Sequence, residues 1–325
     1  MRRIDRYWKR CGACLLAAVT LMLGQGTMQS YAMNAQVINS PDRIVVQDEN
    51  KNTGNQNTNT QTVTTKAEVA GFGEVSTPVT DSSSYFGKGR LTLLANHDTA
   101  AQQLAAIIET GEGGLIVVDG GWTDNTDYVL NQIKAKGGHV QAWLITHPDS
   151  DHVGALADIL YKHAGEITID GIYYSFLEDS WYAEKDANVA SMVAYVKGAF
   201  AKISPSVLHG DIVAGQVINA GPAKIQVLNQ AYKENNVNNS SVAYMVSLNG
   251  TNVVFLGDLG RTGGEHLMQD INLGALKCKM VQMSHHGQNG VDYEVYKALR
   301  PSVCLWPTPQ WLWDNDNGGG AGSGS

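Results

Sequence analysis

Between Thr146 and His152 the chain places two imidazoles and two carboxylates within six positions: His147, Asp149, Asp151 and His152. They follow the apolar run Val140–Thr146 and precede a stretch of helical character. In an extended segment, residues two apart point the same way. His147, Asp149 and Asp151 therefore converge on one side, and His152 swings in as the helix begins. Burying such a group without a cation is costly, whereas imidazole and carboxylate together are typical ligands of zinc and similar divalent metals. The plainer reading is a solvated turn in which Asp151 caps the helix, but a cap needs one polar residue, not four.

Two further groups occupy comparable places. Gly257-Asp258 ends the apolar run Val253–Leu256, which by itself is ordinary turn chemistry. Ser284-His285-His286-Gly287 closes the apolar run that begins at Cys278. No Ser/His/Asp order is persuasive, and metal chemistry needs no serine or cysteine nucleophile. His97, His139, His163 and His266 are scattered and read as surface or packing residues. Gly111–Gly114 reads as a hairpin turn and not a phosphate loop, because no Lys-Ser/Thr follows.

The elements that must position these groups alternate along the chain. Gln103–Thr110 and Leu115–Asp119 form a strand pair, Thr123–Ala135 a helix, Val140–Thr146 a strand and His152–His163 a helix. A strand follows at Ile167–Tyr174, then one long helix over Ser180–Ile203 with Val189, Met192, Val193 and Val196 at helical spacing. A second strand-rich half begins near Asp211, the preceding Leu208-His209-Gly210-Asp211 reading as a turn. In it, Lys224–Gln230 is a strand, and Val242–Leu248 and Thr251–Leu256 flank Asn249-Gly250, a hairpin signal because both central positions want positive φ. Gly263–Ile271 and Val291–Leu299 read as helices, Cys278–Ser284 and Ser302–Trp306 as strands. Two halves of this kind imply two sheets packed face to face with helices outside.

In their order, the three groups resemble the metallo-β-lactamase superfamily, whose signature is HxHxDH, then a later Asp and a final His at strand ends. The early acidic turn Asp119-Gly120-Gly121 fits the same pattern, and the resemblance covers residues 85–315. Where the common motif has its second His, this chain has Asp149, giving HxDxDH. With Asn238-Asn239-Ser240-Ser241, Gly257-Asp258 and His285-His286-Gly287, that variant is similar to the extracellular-type domain of ComEC competence proteins. The resemblance implies an α/β, four-layer αβ/βα sandwich of two mixed sheets. It also implies two divalent metal ions. His147 and Asp149 would hold one, helped by an Asn; Asp151, His152 and one of the 285–286 pair would hold the other, with Asp258 bridging. His285 is the expected ligand, because the family's ligand usually sits first after the strand, and His286 would then face substrate. The family has a further His ligand between the first cluster and the bridging Asp. This chain offers no obvious one near Asn238 or Asn239, and His209 in that interval reads as part of a turn.

A binuclear site of this kind lowers the pKa of a shared water and polarises the substrate's oxygen, with Asp151 orienting that water or taking its proton. Zinc is the expected metal. Manganese competes, because exchanging one imidazole for a carboxylate and losing another makes the first position richer in oxygen.

The remainder of the chain narrows the setting. Its 325 residues are 43% apolar and 17% charged, enough for a real core, and four cysteines are too few for a disulfide-built scaffold. Residues 1–32 join a basic stretch, the apolar run Cys11–Gly24 and the small-residue site Ser30-Tyr31-Ala32, the layout of a secretory signal peptide. That run has 14 residues, whereas spanning a bilayer takes ~20, so cleavage near Ala32 and a secreted product without a membrane span are expected. Residues 33–84 read as a tether: between Gln47 and Lys66, 14 of 20 residues are Asn, Gln or Thr, too polar to offset the entropy of ordering. Residues 316–325 have flexible-linker composition. Cys278 and Cys304 remain after cleavage and can pair outside the cell or stay as buried thiols.

Removing residues 1–32, which carry five basic side chains against one acidic, takes the formal charge from −8 to −12. Such a surface disfavours long nucleic acid. A secreted hydrolase of a smaller phosphodiester, on a wall polymer or lipid headgroup, fits better. A β-lactam or lactone hydrolase is the enzymatic alternative, and a non-catalytic surface scaffold keeping the fold is the alternative of another class. Trp306, Trp311 and Trp313, with Tyr173 and Tyr174, belong either to a substrate cleft or to the core.

Overall fold

Period-two alternation decides which face each strand shows. In β3 (Ala105–Glu109) and β4 (Leu115–Asp119), Ala106, Ile108, Ile116 and Val118 join one apolar cluster, while Ala105, Ile107, Leu115 and Val117 join another. All are buried, so both faces of these strands are covered. The computed structural model describes residues 37–39, 88–96 and 101–313 and shows what covers them. The leader, the Asn/Gln/Thr-rich run, His97 and the Gly/Ser-rich tail lie outside the described residues.

One sheet runs β2 (Arg90–Leu93), β3, β4, β5 (His139–Leu144), β7 (Ile172–Tyr173) and β8 (Leu208–His209), with β6 (Thr168–Ile169) also on β5. The other runs β1 (Val37–Asn39), β14 (Val303–Leu305), β13 (Met280–Gln282), β12 (Thr251–Phe255), β11 (Tyr244–Leu248), β10 (Ala223–Val227) and β9 (Val217–Ala220). Both are mixed: β4 runs parallel to β5, and β12, β13 and β14 run parallel, while β2–β3–β4 and β9–β12 are antiparallel. Inward residues from both sheets, among them Val118, Leu144, Val246 and Phe255, share one core. Outside the first sheet pack α1 (Thr126–Ala135), α2 (Ser150–Lys162) and α4 (Ala187–Phe200), which follows α3 (Asp179–Lys185). Outside the second pack α5 (Arg261–Asp270) and α6 (Tyr293–Leu299). The result is the expected four-layer sandwich.

Several element boundaries differ from the expectation. The helix read as continuous over Ser180–Ile203 breaks at Asp186, whose backbone is extended (φ −152°, ψ 119°) and whose carboxylate accepts from the amides of Asn188 and Val189. A local side-chain cap there outcompetes one more helical turn. The strand read over Ile167–Tyr174 is two short pieces interrupted at Asp170-Gly171. Leu208-His209, read as a turn, is the edge strand β8, where His209 stacks on Tyr173 with ring centroids 4.5 Å apart. The Asn249-Gly250 hairpin has the expected positive φ at both positions, 50° and 80°. Val37–Asn39, inside the segment read as a tether, pairs antiparallel with β14. Cys278 and Cys304 are unbonded thiols, Cys278 donating to the Met280 carbonyl. Among the described residues, no helix is long and apolar enough to cross a membrane.

One close approach fixes the site's floor. The amides of Gly120 and Gly121 donate to the His152 carbonyl, and the Ala155 amide donates to Gly121, clasping the end of β4 to the first turn of α2. A Cβ on Gly154 would lie 2.6 Å from the Thr123 nitrogen and 3.0 Å from the Gly121 oxygen. Gly154→Ala gains ~1 kcal/mol of helix propensity, but backbone atoms cannot rotate away, and overpacking of this kind costs about 1–3 kcal/mol. The variant is expected to unfold at lower urea concentration than the parent; an unchanged or higher midpoint would contradict the close packing.

Candidate metal centre

Four strand ends bring the chemistry together. Because β4 and β5 run parallel, as do β12 and β13, their carboxyl ends share an edge, the usual place for a site in such sheets. β4 ends at Asp119, β5 leads into Thr146-His147, β12 into Gly257-Asp258, and β13 into Ser284–Gly287. Asp151, His152, Asp258 and His286 each offer a ligand atom within 4.8 Å of the others. His152 Nε2 is 3.2 Å and His286 Nε2 3.3 Å from Asp258 Oδ2, and His286 Nε2 is 3.2 Å from Asp151 Oδ2. His147 Nε2 lies 3.5 Å from Asp149 Oδ2 beside them, its ring centroid 4.1 Å from that of His152.

Asp119 governs how two of these imidazoles point. Its Oδ1 accepts the Thr146 amide (2.8 Å), and its Oδ2 accepts both the Thr146 hydroxyl (2.7 Å) and His152 Nδ1–H (2.8 Å). A hydroxyl has one proton. Thr146, having given its own to Asp119, can only accept from His147 Nδ1 at 3.1 Å. Both histidines thereby carry the proton on Nδ1 and turn Nε2 toward the pocket. The Pro307 carbonyl imposes the same tautomer on His286, accepting from Nδ1 at 3.0 Å.

The turn bearing the paired histidines is strained and held from several sides. His285 and His286 are both left-handed, at φ 51° and 56°, each costing about 1–3 kcal/mol unless its surroundings impose it. The Trp306 indole donates to the His286 carbonyl, and the Gln282 amide donates to the Gly257 and Met283 carbonyls. Ser284 Oγ donates to the Leu259 carbonyl at 2.6 Å. This conformation reverses the order expected for the pair. His286, not His285, enters the set with Asp151 and Asp258, while His285 Nε2 is 4.0 Å from Asp258 Oδ2 and 3.0 Å from the Asn238 amide.

The electrostatics are those of mutual ion pairing under burial. Burial alone would raise the Asp258 carboxyl, but His152 and His286 hold it well below the usual carboxylate range. Burial would lower His286, yet Asp258 and Asp151 lift it to about 9. His152 is likewise raised, Asp258, Asp119 and Asp151 outweighing its desolvation. For His285 burial wins, and its imidazole is shifted down.

Orphaned atoms indicate what the pocket is built for. Nε2 of His147, His152 and His286, with Oδ1 of Asp149 and Asp258, are buried and lack an aligned hydrogen-bond partner, the imidazoles meeting carboxylates only as ion pairs at 3.2–3.5 Å. Buried polar atoms normally have partners, and a divalent cation would satisfy this donor set of imidazole nitrogens and carboxylate oxygens. Asp149 occupies the N-cap position of α2, yet its side chain makes no capping bond, and Asp151 makes none either, so neither carboxylate is consumed as a cap. A cation entering would displace protons from His152 and His286, so binding releases them.

The Asn-rich stretch divides its labour. Asn238 meets His285, Asn239 Oδ1 accepts the Gly260 and Gly263 amides at the start of α5, and Ser241 Oγ accepts the Asp258 amide. His139, His163 and His266 pair with Asp170, Glu166 and Glu234 away from the pocket. Of the aromatic residues, Trp306 backs the histidine turn, whereas Tyr174 packs on Phe176 and Phe200. The positioning parts played by Asp119 and the Pro307 carbonyl had no local signal, since both depend on partners from 21 to 33 residues away.

The family described as the metallo-beta-lactamase superfamily matches residues 98–302, more than half of the chain. No curated relative matches. Among solved structures, a B3 metallo-β-lactamase with an active-site glutamic acid is 17% identical over 66% of this chain and 88% of its own, with a TM-score of 0.41. A metallo-β-lactamase with a HARLDQ motif from Cronobacter sakazakii is 14% identical over 55% of this chain and 66% of its own, at 0.38. The metallo-β-lactamase fold protein YhfI from Bacillus subtilis is 12% identical over 60% and 70%, at 0.39.

Proposed function

The chain belongs to the metallo-β-lactamase superfamily, and on that premise we propose that it is an exported, metal-dependent hydrolase of a phosphodiester. The observation that carries the reading is the convergence of Asp151, His152, Asp258 and His286, with His147 and Asp149 beside them, at one edge of the sandwich. These residues would hold a divalent cation, whose positive charge would acidify water and polarise the substrate's oxygen.

The chain's own residues supply the remainder. Asp151 is partly open to solvent, and a carboxylate oxygen not engaged by the cation would orient the attacking water and take its proton. Asp119 keeps His152 aimed directly and His147 through Thr146, so no reorganisation is needed when substrate arrives. Three carboxylates facing the pocket, Asp149, Asp151 and Asp258, make it richer in oxygen than the HxHxDH pattern, which supports a phosphodiester over a lactam or lactone. Zinc suits the imidazoles, and the carboxylates keep manganese in competition. The formal charge of −12 beyond residue 32 favours a small phosphodiester on a wall polymer or lipid headgroup over a long nucleic acid.

The protein recovered from the culture medium is expected to begin near Met33 and to hydrolyse a chromogenic bis-aryl phosphate. Chelation should abolish turnover, and added zinc or manganese should restore it. Metal-dependent turnover of a β-lactam or lactone alone would overturn the phosphodiester assignment. No turnover across all three classes would favour a scaffold that keeps the fold.

A further inference from the structure

We propose that the two adjacent histidines serve two different cations: His286 completes the compact set with Asp151, His152 and Asp258, and His285 completes a second, wider set with His147 and Asp149 across the shared Asp258. The inference rests on reading the pocket as a metal centre, and it assigns a ligand that the sequence left open.

The first argument concerns what the compact set leaves over. His147 is fully buried and its Nε2 has no aligned partner, and Asp149 Oδ1 is buried and unpartnered too. These two side chains face each other at 3.5 Å, a cation would satisfy their unpartnered atoms, and neither belongs to the compact four. Two donors from one turn do not make a closed site. A third nitrogen must come from elsewhere.

His285 can provide it. Its Nε2 lies 4.0 Å from the Asp258 oxygen that is 3.3 Å from His286 Nε2, so one carboxylate stands between the two imidazoles. The ring of His285 also hydrogen-bonds the backbone of Asn289, while the Asn238 amide donates to Nε2 at 3.0 Å. Nε2 thus carries its lone pair, held by a side chain that can swing away. Among the described residues the other histidines are engaged elsewhere: His139 with Asp170, His163 with Glu166, His266 with Glu234, and His209 stacked on Tyr173.

The second set is looser than the first, since its atoms do not gather within the 4.8 Å that encloses the compact four. The two ions therefore load in order, the first into the compact set and the second more weakly, as Asn238 gives up His285.

The test is zinc titration of the metal-stripped, folded chain, followed by calorimetry and by native mass measurement without substrate. The parent is expected to take two ions, the first more tightly. His285→Asn suits the left-handed backbone at φ 51°, and it should keep the first ion unchanged while weakening the second at least ~10-fold. His285→Gly, equally at ease with positive φ, should behave alike and guards against an effect of misfolding. Asn238→Ala should still take two ions. Undiminished binding of the second ion to both His285 variants would overturn the assignment, as would a parent that takes only one ion in excess zinc. Loss of the second ion in Asn238→Ala as severe as in His285→Asn would overturn it too. The outcome is separable from the hydrolase reading. Two ions bound by the parent, with only the second weakened in the His285 variants and no turnover of any substrate, would leave the ligand assignment standing and remove the enzyme, and turnover supported by one ion would do the reverse.

Discussion

Asp258→Ala is expected to lose bound metal and to reduce the proposed phosphodiester turnover by roughly 10²–10⁴-fold. That range follows from the several kcal/mol a metal contributes to transition-state charge, at about 1.4 kcal/mol per decade of rate. Asp258 is 3% exposed, and its Oδ2 lies within 3.3 Å of both His152 and His286. Among the described residues no other carboxylate is so placed: Asp151 reaches His286 at 3.2 Å but stands 3.9 Å from His152. Removing Asp258 therefore uncouples the two imidazoles and takes a ligand from both proposed sets. Asp258→Asn keeps the shape and one oxygen but not the charge, and it should fall between the parent and the alanine variant. Elemental analysis on the same sample as the rate measurement separates lost metal from lost chemistry. Full metal content with full turnover in Asp258→Ala would remove this pocket as the active site.

The second large effect is expected from a residue that touches neither metal nor substrate. Asp119→Ala leaves the Thr146 amide, the Thr146 hydroxyl and His152 Nδ1–H without their common acceptor. Breaking a fully buried charged network from one side typically costs about 3–5 kcal/mol, a large share of the roughly 5–15 kcal/mol that holds a domain folded. Loss of the partner that orients a ligating histidine costs ~10–100-fold in metal affinity. Here one carboxylate orients two histidines, so the upper end is expected. Asp119 also sits at φ 54°, where alanine is strained and asparagine is not. Asp119→Asn should recover part of the stability, measured by urea unfolding of the metal-free protein. It should recover little of the zinc affinity, because an amide presents one oxygen to three donors. Equal zinc affinity in the parent and both variants would show that Thr146 and His152 are aimed by something else.

Much of the scaffold was legible because the chain is locally consistent. Strands buried on both faces, such as Leu115–Asp119, read as unbroken apolar runs, and the Asn249-Gly250 turn carries its own backbone preference. Where reading failed, a short-range competitor had been given too little weight. Asp186 terminates a helix whose apolar spacing continues across it, because its carboxylate bonds two amides at once. Leu208-His209 is too short to show a period, and only the neighbouring β7 makes it a strand.

The site divides along the same line. Residue types and their spacing were sufficient to place His147, Asp149, Asp151, His152, Asp258 and the histidine pair at strand ends, because alternation and turn chemistry are properties of a few consecutive residues. Which member of the pair joins Asp151 and Asp258 was beyond them. Two consecutive left-handed residues turn their side chains in directions that no short-range pattern encodes, and that backbone is imposed by Trp306, Gln282 and Gly257. Nor could spacing show Asp119 setting two tautomers, or a proline carbonyl setting a third. The sequence named the candidate ligands. Only the packing of distant strand ends decided which nitrogen each of them offers.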